Sequence, residues 1–132
     1  MDAAHAWRPD PRTMSDDLLN ATKLMWLNFP GNPTGASIGI EDLNTLATRA
    51  LARGVMVASD LAYSEIYFER GPISCPSVFQ CAGVDIERDH AIEFHSLSKT
   101  FNMTGWRLGF AVGNERMIRA LKQTKDNYDS GP

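Results

Sequence analysis

The sequence predicts an α/β fold, a mostly parallel sheet of about four strands with flanking helices. Three observations carry that prediction. Short apolar runs without strict polar alternation recur along the chain, as in strands covered on both faces. A segment of helical periodicity separates the first two runs, as a crossover between parallel strands requires. Polar and reactive residues collect directly after the runs, and ligands gather at the carboxyl ends of the strands in such sheets. The size agrees: 132 residues, 43% hydrophobic and 22% charged, suit one globular domain and exclude a disordered chain.

Taken in order, Pro9 and Pro11 keep the opening out of a helix, so residues 1–20 are expected to be irregular. Leu24-Met25-Trp26-Leu27 is a buried strand that stops at Asn28, before the turn-rich Pro30-Gly31-Asn32-Pro33-Thr34-Gly35. Ile40, Leu43, Leu46, Ala47, Ala50 and Leu51 mark one face of a helix, closed by Gly54 as C-cap. Val55-Met56-Val57-Ala58 is the second strand and ends at Ser59-Asp60. After turns around Gly71, Pro72, Pro76 and Gly83, Ala91-Ile92-Glu93-Phe94-His95 is the third, ending in Ser96-Leu97-Ser98-Lys99. Leu108-Gly109-Phe110-Ala111-Val112 is the fourth. Met117, Ile118 and Leu121 then line a closing helix with Asn114 as its N-cap.

Composition excludes several classes of function. A net charge of −3 with scattered Lys and Arg argues against a nucleic-acid or anionic-membrane partner. No apolar run approaches the ~18 residues of a spanning helix, and the first residues lack the basic start and apolar stretch of a secretory signal. Two cysteines, Cys75 and Cys81, make no disulfide framework, so a cytoplasmic location is expected. Together with His5, His90 and His95 they show no zinc-ligand spacing, and no metal is expected.

The residues after the strands each have an ordinary reading beside a chemical one. Asn32-Pro33-Thr34-Gly35 taken alone is a turn. Asp60, next to four apolar residues, is either a helix cap or ion-pair partner, or a carboxylate aimed at a cationic ligand atom. Tyr63 could be an ordinary half-buried tyrosine. Lys99, among Ser96, Ser98 and Thr100, is either a solvated loop lysine or a desolvated, nucleophilic amine fit to form a Schiff base. Arg107 is either an ion-pair partner or, with nearby hydroxyls, a phosphate holder. Together the chemical readings describe the needs of pyridoxal 5'-phosphate. These are a lysine for its aldehyde, an acid at its pyridine nitrogen, a donor at its phenolic oxygen and a hydroxyl-lined basic cup for its phosphate.

Asn32-Pro33-Thr34-Gly35, Asp60-Leu61-Ala62-Tyr63 and the run from Ser96-Leu97-Ser98-Lys99 through Thr104-Gly105-Trp106-Arg107-Leu108-Gly109 resemble the class I/II aminotransferases of the fold-type I pyridoxal-phosphate superfamily. The resemblance covers nearly the whole chain, in the family's order and spacing. Within the family, Tyr63-Ser64-Glu65-Ile66-Tyr67-Phe68, Glu93 to Lys99 and the ending Asn127-Tyr128-Asp129-Ser130-Gly131 are most similar to the LL-diaminopimelate branch.

The resemblance implies transamination between an amino acid and a 2-oxo acid, with Lys99, Asp60 and Tyr63 catalytic. Lys99 would bind the cofactor and move the substrate's α-proton. Asp60 would keep the pyridine nitrogen protonated, Tyr63 and Asn32 would contact the phenolic oxygen, and Ser96, Ser98 and Arg107 would bind the phosphate. Gly31 stands where many relatives carry a polar residue, and Leu61 replaces a common acid. The resemblance also implies that residues 1–132 are the middle of a large, cofactor-binding domain. The family's N-terminal part, its C-terminal small domain and its homodimeric partner then lie outside the chain, and little turnover is expected from these residues alone.

Overall fold

The computed structural model describes residues 6–67 and 75–128. The expectations for the first five residues, for Phe68, Gly71 and Pro72, and for Asp129 to Gly131 lie outside them. Four strands, β1 (Leu24–Asn28), β2 (Met56–Asp60), β3 (Ala91–Ser96) and β4 (Gly109–Gly113), form one sheet in the order β1-β2-β3-β4. β1, β2 and β3 are parallel and β4 runs antiparallel to β3, so the fold is α/β with a mostly parallel sheet. The register pairs Asn28 with Asp60, Asp60 with Phe94 and Ser96 with Gly109. The carboxyl ends of three strands and the start of the fourth therefore share one edge.

Helices α1 (Asp16–Ala21), α2 (Ile40–Leu51), α3 (Leu97–Thr100) and α4 (Glu115–Tyr128) flank the sheet. Leu43, Leu46, Ala47 and Ala50 recur at helical spacing on α2 and are buried against Met25, Leu27, Val57 and Ala91. Each such leucine contributes roughly 1.5–3 kcal/mol by leaving water. α2 ends at Leu51, and Gly54, two residues beyond the cap, takes a left-handed turn (φ +72°). There its N–H donates to the Leu51 carbonyl, while Val55 N–H reaches Ala50. α4 starts as the sequence suggests, with Asn114 Oδ1 accepting from Met117 N at 2.9 Å.

Two expectations are corrected. The opening is not irregular throughout, because Ser15 caps α1 by accepting from Leu18 N, with Asp16 and Asp17 favourably placed in its first turn. Arg49 of α2 and Arg53, just beyond its end, clamp this helix through Asp16, whose carboxyl they hold below the ordinary range by hydrogen bonding and charge. Nor is β1 covered on both faces. Its side chains alternate, with Met25 and Leu27 buried under α2 while Leu24 and Trp26 are exposed. On that second face Met117, Ile118 and Leu121 of α4 pack over Ala58, Ile92, Phe94 and Ala111, and no β1 residue is among the buried or partly buried members of this cluster.

Candidate functional site

The shared edge carries the site because each strand delivers its last residues there. Asp60 closes β2 half-buried. Its Oδ1 accepts from Ala62 N at 3.1 Å, and it has no other side-chain partner among the described residues. It is neither a helix cap nor an arginine's partner there. A half-buried carboxylate with an uncommitted oxygen is costly unless a donor or cation arrives, so it suits a cationic ring nitrogen.

Asn28, Asn32 and Tyr63 form a second group. Asn28 Nδ2 donates to the Asp60 carbonyl at 3.2 Å and Asn28 Oδ1 accepts from Asn32 N at 2.9 Å. Asn32 Nδ2 donates to the Tyr63 hydroxyl oxygen at 3.2 Å, which leaves that hydroxyl's hydrogen available to a ligand. Lys99 Nζ stands 5.8 Å from the Tyr63 ring centroid, within cation–π range. Gly31 packs tightly beside β1: a Cβ there would lie 3.0 Å from the Asn28 carbonyl oxygen and 3.1 Å from Thr34 Oγ1, closer than ordinary contact.

The third group follows β3. Ser96 Oγ accepts from Ser98 N at 3.2 Å, Thr104 Oγ1 donates to the Ser98 carbonyl at 3.2 Å, and Arg107 NH1 donates to the Thr104 carbonyl at 3.1 Å. Arg107 is left-handed (φ 53°), a conformation costly for a side chain of its size and common where function demands it. Among the described residues the Ser98 hydroxyl makes no hydrogen bond and Arg107 no ion pair. Two hydroxyls and a guanidinium without an ion pair are the donor set a phosphate takes.

Asp60, Ser96, Ser98 and Arg107 line one open cleft of about 410 Å³, with Ala62, Trp26 and Phe94 as its apolar wall. Trp26 and Phe94 stack with centroids 5.4 Å apart. The register sets Ala58 between Trp26 and Ile92, so Phe94 meets Trp26 diagonally across the sheet, past a small side chain. Asn32, Tyr63 and Lys99 stand outside that lining, joined to one another by the contacts above. Lys99 is exposed, so the expectation of a desolvated amine is not met within this chain. α3 is a single turn ending at Thr100.

Sequence reasoning passed over Asn28 and Trp26. Asn28 was legible only as the place where an apolar run stops, and Trp26 only as part of that run. Their roles come from register and from hydrogen bonds across the edge.

A mostly parallel sheet with polar and charged residues on its carboxyl edge is the ligand-binding arrangement of an open α/β fold. The family pattern "Aminotransferase class I and II" matches residues 1–131, and the chain belongs to that family. It is 46% identical over 123 residues to LL-diaminopimelate aminotransferase of Aquifex aeolicus, covering 93% of this chain and 30% of that protein. It is 42% identical over 129 residues to LL-diaminopimelate aminotransferase 2 of a Nostoc species, covering 98% of this chain and 32% of that protein. Among solved structures, substrate-bound BacF of Bacillus subtilis superposes with a TM-score of 0.81 at 32% identity, over 99% of this chain and 32% of that one. A Thermus thermophilus aspartate aminotransferase double mutant gives 0.81 at 29% identity, over 100% and 32%. The chain thus spans about a third of the length of the proteins it matches.

Proposed function

We propose that these residues are the cofactor-holding part of a pyridoxal 5'-phosphate-dependent aminotransferase that exchanges an amino group between an amino acid and a 2-oxo acid. The observation that carries this reading is the convergence of an uncommitted carboxylate, a hydroxyl-and-guanidinium group and a tyrosine–lysine pair on one sheet edge. When bound, the cofactor supplies an electron-withdrawing ring that eases removal of an amino acid's α-proton.

The chain's own residues do the rest. Asp60 accepts a hydrogen bond from the ring nitrogen and keeps the proton there. Tyr63 donates its free hydroxyl hydrogen to the phenolic oxygen, while Asn32 holds Tyr63 in place. Ser96, Ser98 and Arg107 bind the phosphate oxygens. Lys99 would hold the cofactor at its aldehyde carbon through Nζ and, as a free amine, would carry the substrate's α-proton.

The narrower reading is LL-diaminopimelate as amino donor and 2-oxoglutarate as acceptor, in lysine biosynthesis. It rests on the names of the 42–46% identical relatives. In this reading residues 1–132 are a partial large domain. The N-terminal part, the C-terminal small domain and a second subunit of a cytoplasmic homodimer complete the site.

A second reading is favoured by the cleft itself: the chain alone binds cofactor without turnover. Among the described residues Arg107 is the one arginine lining the cleft, so once it holds phosphate none of them remains there for a substrate carboxylate.

One experiment separates them. The chain is titrated with pyridoxal 5'-phosphate, and glutamate release is then measured from LL-diaminopimelate and 2-oxoglutarate. A visible absorption band that is lost in Lys99→Ala, with glutamate release, supports the first reading. The band without release supports the second, and no band refutes both.

A further inference from the structure

We propose that Asn28 is the positioning residue that holds Asn32 against Tyr63, so that the aim of the tyrosine hydroxyl is set from the end of β1. The part that concerns a ligand rests on the cofactor reading above; the part that concerns Asn28 stands on hydrogen bonds.

Asn28 is half-buried at the last position of β1, opposite Asp60 in the register. Both ends of its amide are used. Nδ2 donates to the Asp60 carbonyl and Oδ1 accepts the Asn32 N–H, so one side chain ties the carboxylate-bearing strand to the loop that carries Asn32. From there Asn32 Nδ2 reaches the Tyr63 hydroxyl, 31 residues away in sequence. Tyr63 itself sits on the segment that leaves β2 just after Asp60. Asn28 thus fixes both ends of the Asn32–Tyr63 hydrogen bond: the loop end directly and the tyrosine end through the Asp60 backbone. Asn32 is exposed and, among the described residues, its backbone N–H has no other acceptor. Without the Asn28 amide the loop keeps the turn bonds from Gly31 to Ala36 and from Gly35 to Gly31 and the bond from Ala36 N to Thr34 Oγ1. None of these uses an atom of Asn32 itself.

The test uses the 132-residue chain with 13C-labelled tyrosine and reads the Cζ resonances of Tyr63, Tyr67 and Tyr128, assigned by Tyr→Phe variants. Pyridoxal 5'-phosphate is titrated in parallel by absorbance. In Asn28→Ala the Tyr63 resonance moves while those of Tyr67 and Tyr128 stay. Half-saturation by the cofactor rises about tenfold, the scale expected from losing two polar contacts. Asn28→Asp keeps the acceptor for Asn32 N–H and loses the donor to Asp60, so Tyr63 moves by a fraction of that shift. It also carries the test should the alanine variant not fold. In an Asn32→Ala background, Asn28→Ala adds less than twofold, because both residues act through one contact.

A Tyr63 resonance unmoved in both Asn28 variants overturns the proposal. So does a shift shared by all three tyrosines, which marks a general loss of structure, or full additivity with Asn32→Ala. If Tyr63 moves alone but the parental chain gives no absorption band, the positioning role stands and the cofactor reading fails.

Discussion

Gly109 begins β4 opposite Ser96, at the point where the Ser96, Ser98 and Arg107 group meets the sheet. A Cβ built on it would stand 2.6 Å from the His95 carbonyl oxygen, against the 3.4 Å at which ordinary contact begins. The obstacle is backbone within a paired strand and cannot rotate away, so in Gly109→Ala β4 must shift from β3. Such overpacking typically costs about 1–3 kcal/mol. Unfolding entropy of about 2.1 cal/mol/K per residue makes 1 kcal/mol worth roughly 3–4 °C for a chain of this size. The melting temperature followed by circular dichroism should therefore fall by roughly 4–11 °C. Gly105→Ala is the control, because nothing lies within 4 Å of its Cβ position and its φ is not left-handed. Its melting temperature should stay level or rise slightly, by the loss of unfolded-state freedom. Equal melting temperatures for the Gly109→Ala, Gly105→Ala and parental chains would refute the argument that β3 and β4 approach too closely for a side chain.

Glu93 is 3% exposed, and its Oε1 accepts from the fully buried Val78 N at 2.6 Å, pinning the short turn Val78–Gln80 to the sheet. Glu93→Ala strands that N–H and should cost about 3 kcal/mol by urea titration, whereas Glu93→Gln keeps an oxygen acceptor and should cost about 1; equal losses would contradict this. Asn114→Ala removes both the cap of α4 and a 2.8 Å bond from Nδ2 to the Asp89 carbonyl, and a loss of about 1–2 kcal/mol is expected in the same measurement. Burial first, and the Glu93 charge second, push the Cys81 thiol up from 9.0 to about 11. The folded state then holds a proton that the unfolded state releases, so stability should fall as pH rises from 9.0 towards about 11, and Cys81→Ala should flatten that slope. An unchanged slope in the alanine variant would show that another group is responsible.

Much of the fold was legible in residue order because its signals are local. The α2 stripe from Ile40 to Leu51, the left-handed Gly54 and the Asn114 cap each depend on neighbours within a few positions. So does α1, whose cap Ser15 followed by two acids was overshadowed by the prolines before it. The exposure of Leu24 and Trp26 could not be read that way, since it depends on how far α4 reaches across the second face.

By itself the sequence determined the class of the fold and the family, and it set the residues proposed for the chemistry beside strands: Asn32, Asp60, Tyr63, Ser96, Ser98, Lys99 and Arg107 all follow strands or precede one. Only the tertiary structure decided how they meet. Because β4 runs antiparallel, the residues before it, Arg107 among them, arrive at the same edge as the ends of the parallel strands. Because the register sets Asn28 opposite Asp60, one amide can bind a loop to a neighbouring strand. Lys99 carries the right chemistry yet stands in solvent, since desolvation is conferred by packing around a side chain and not by its neighbours in sequence.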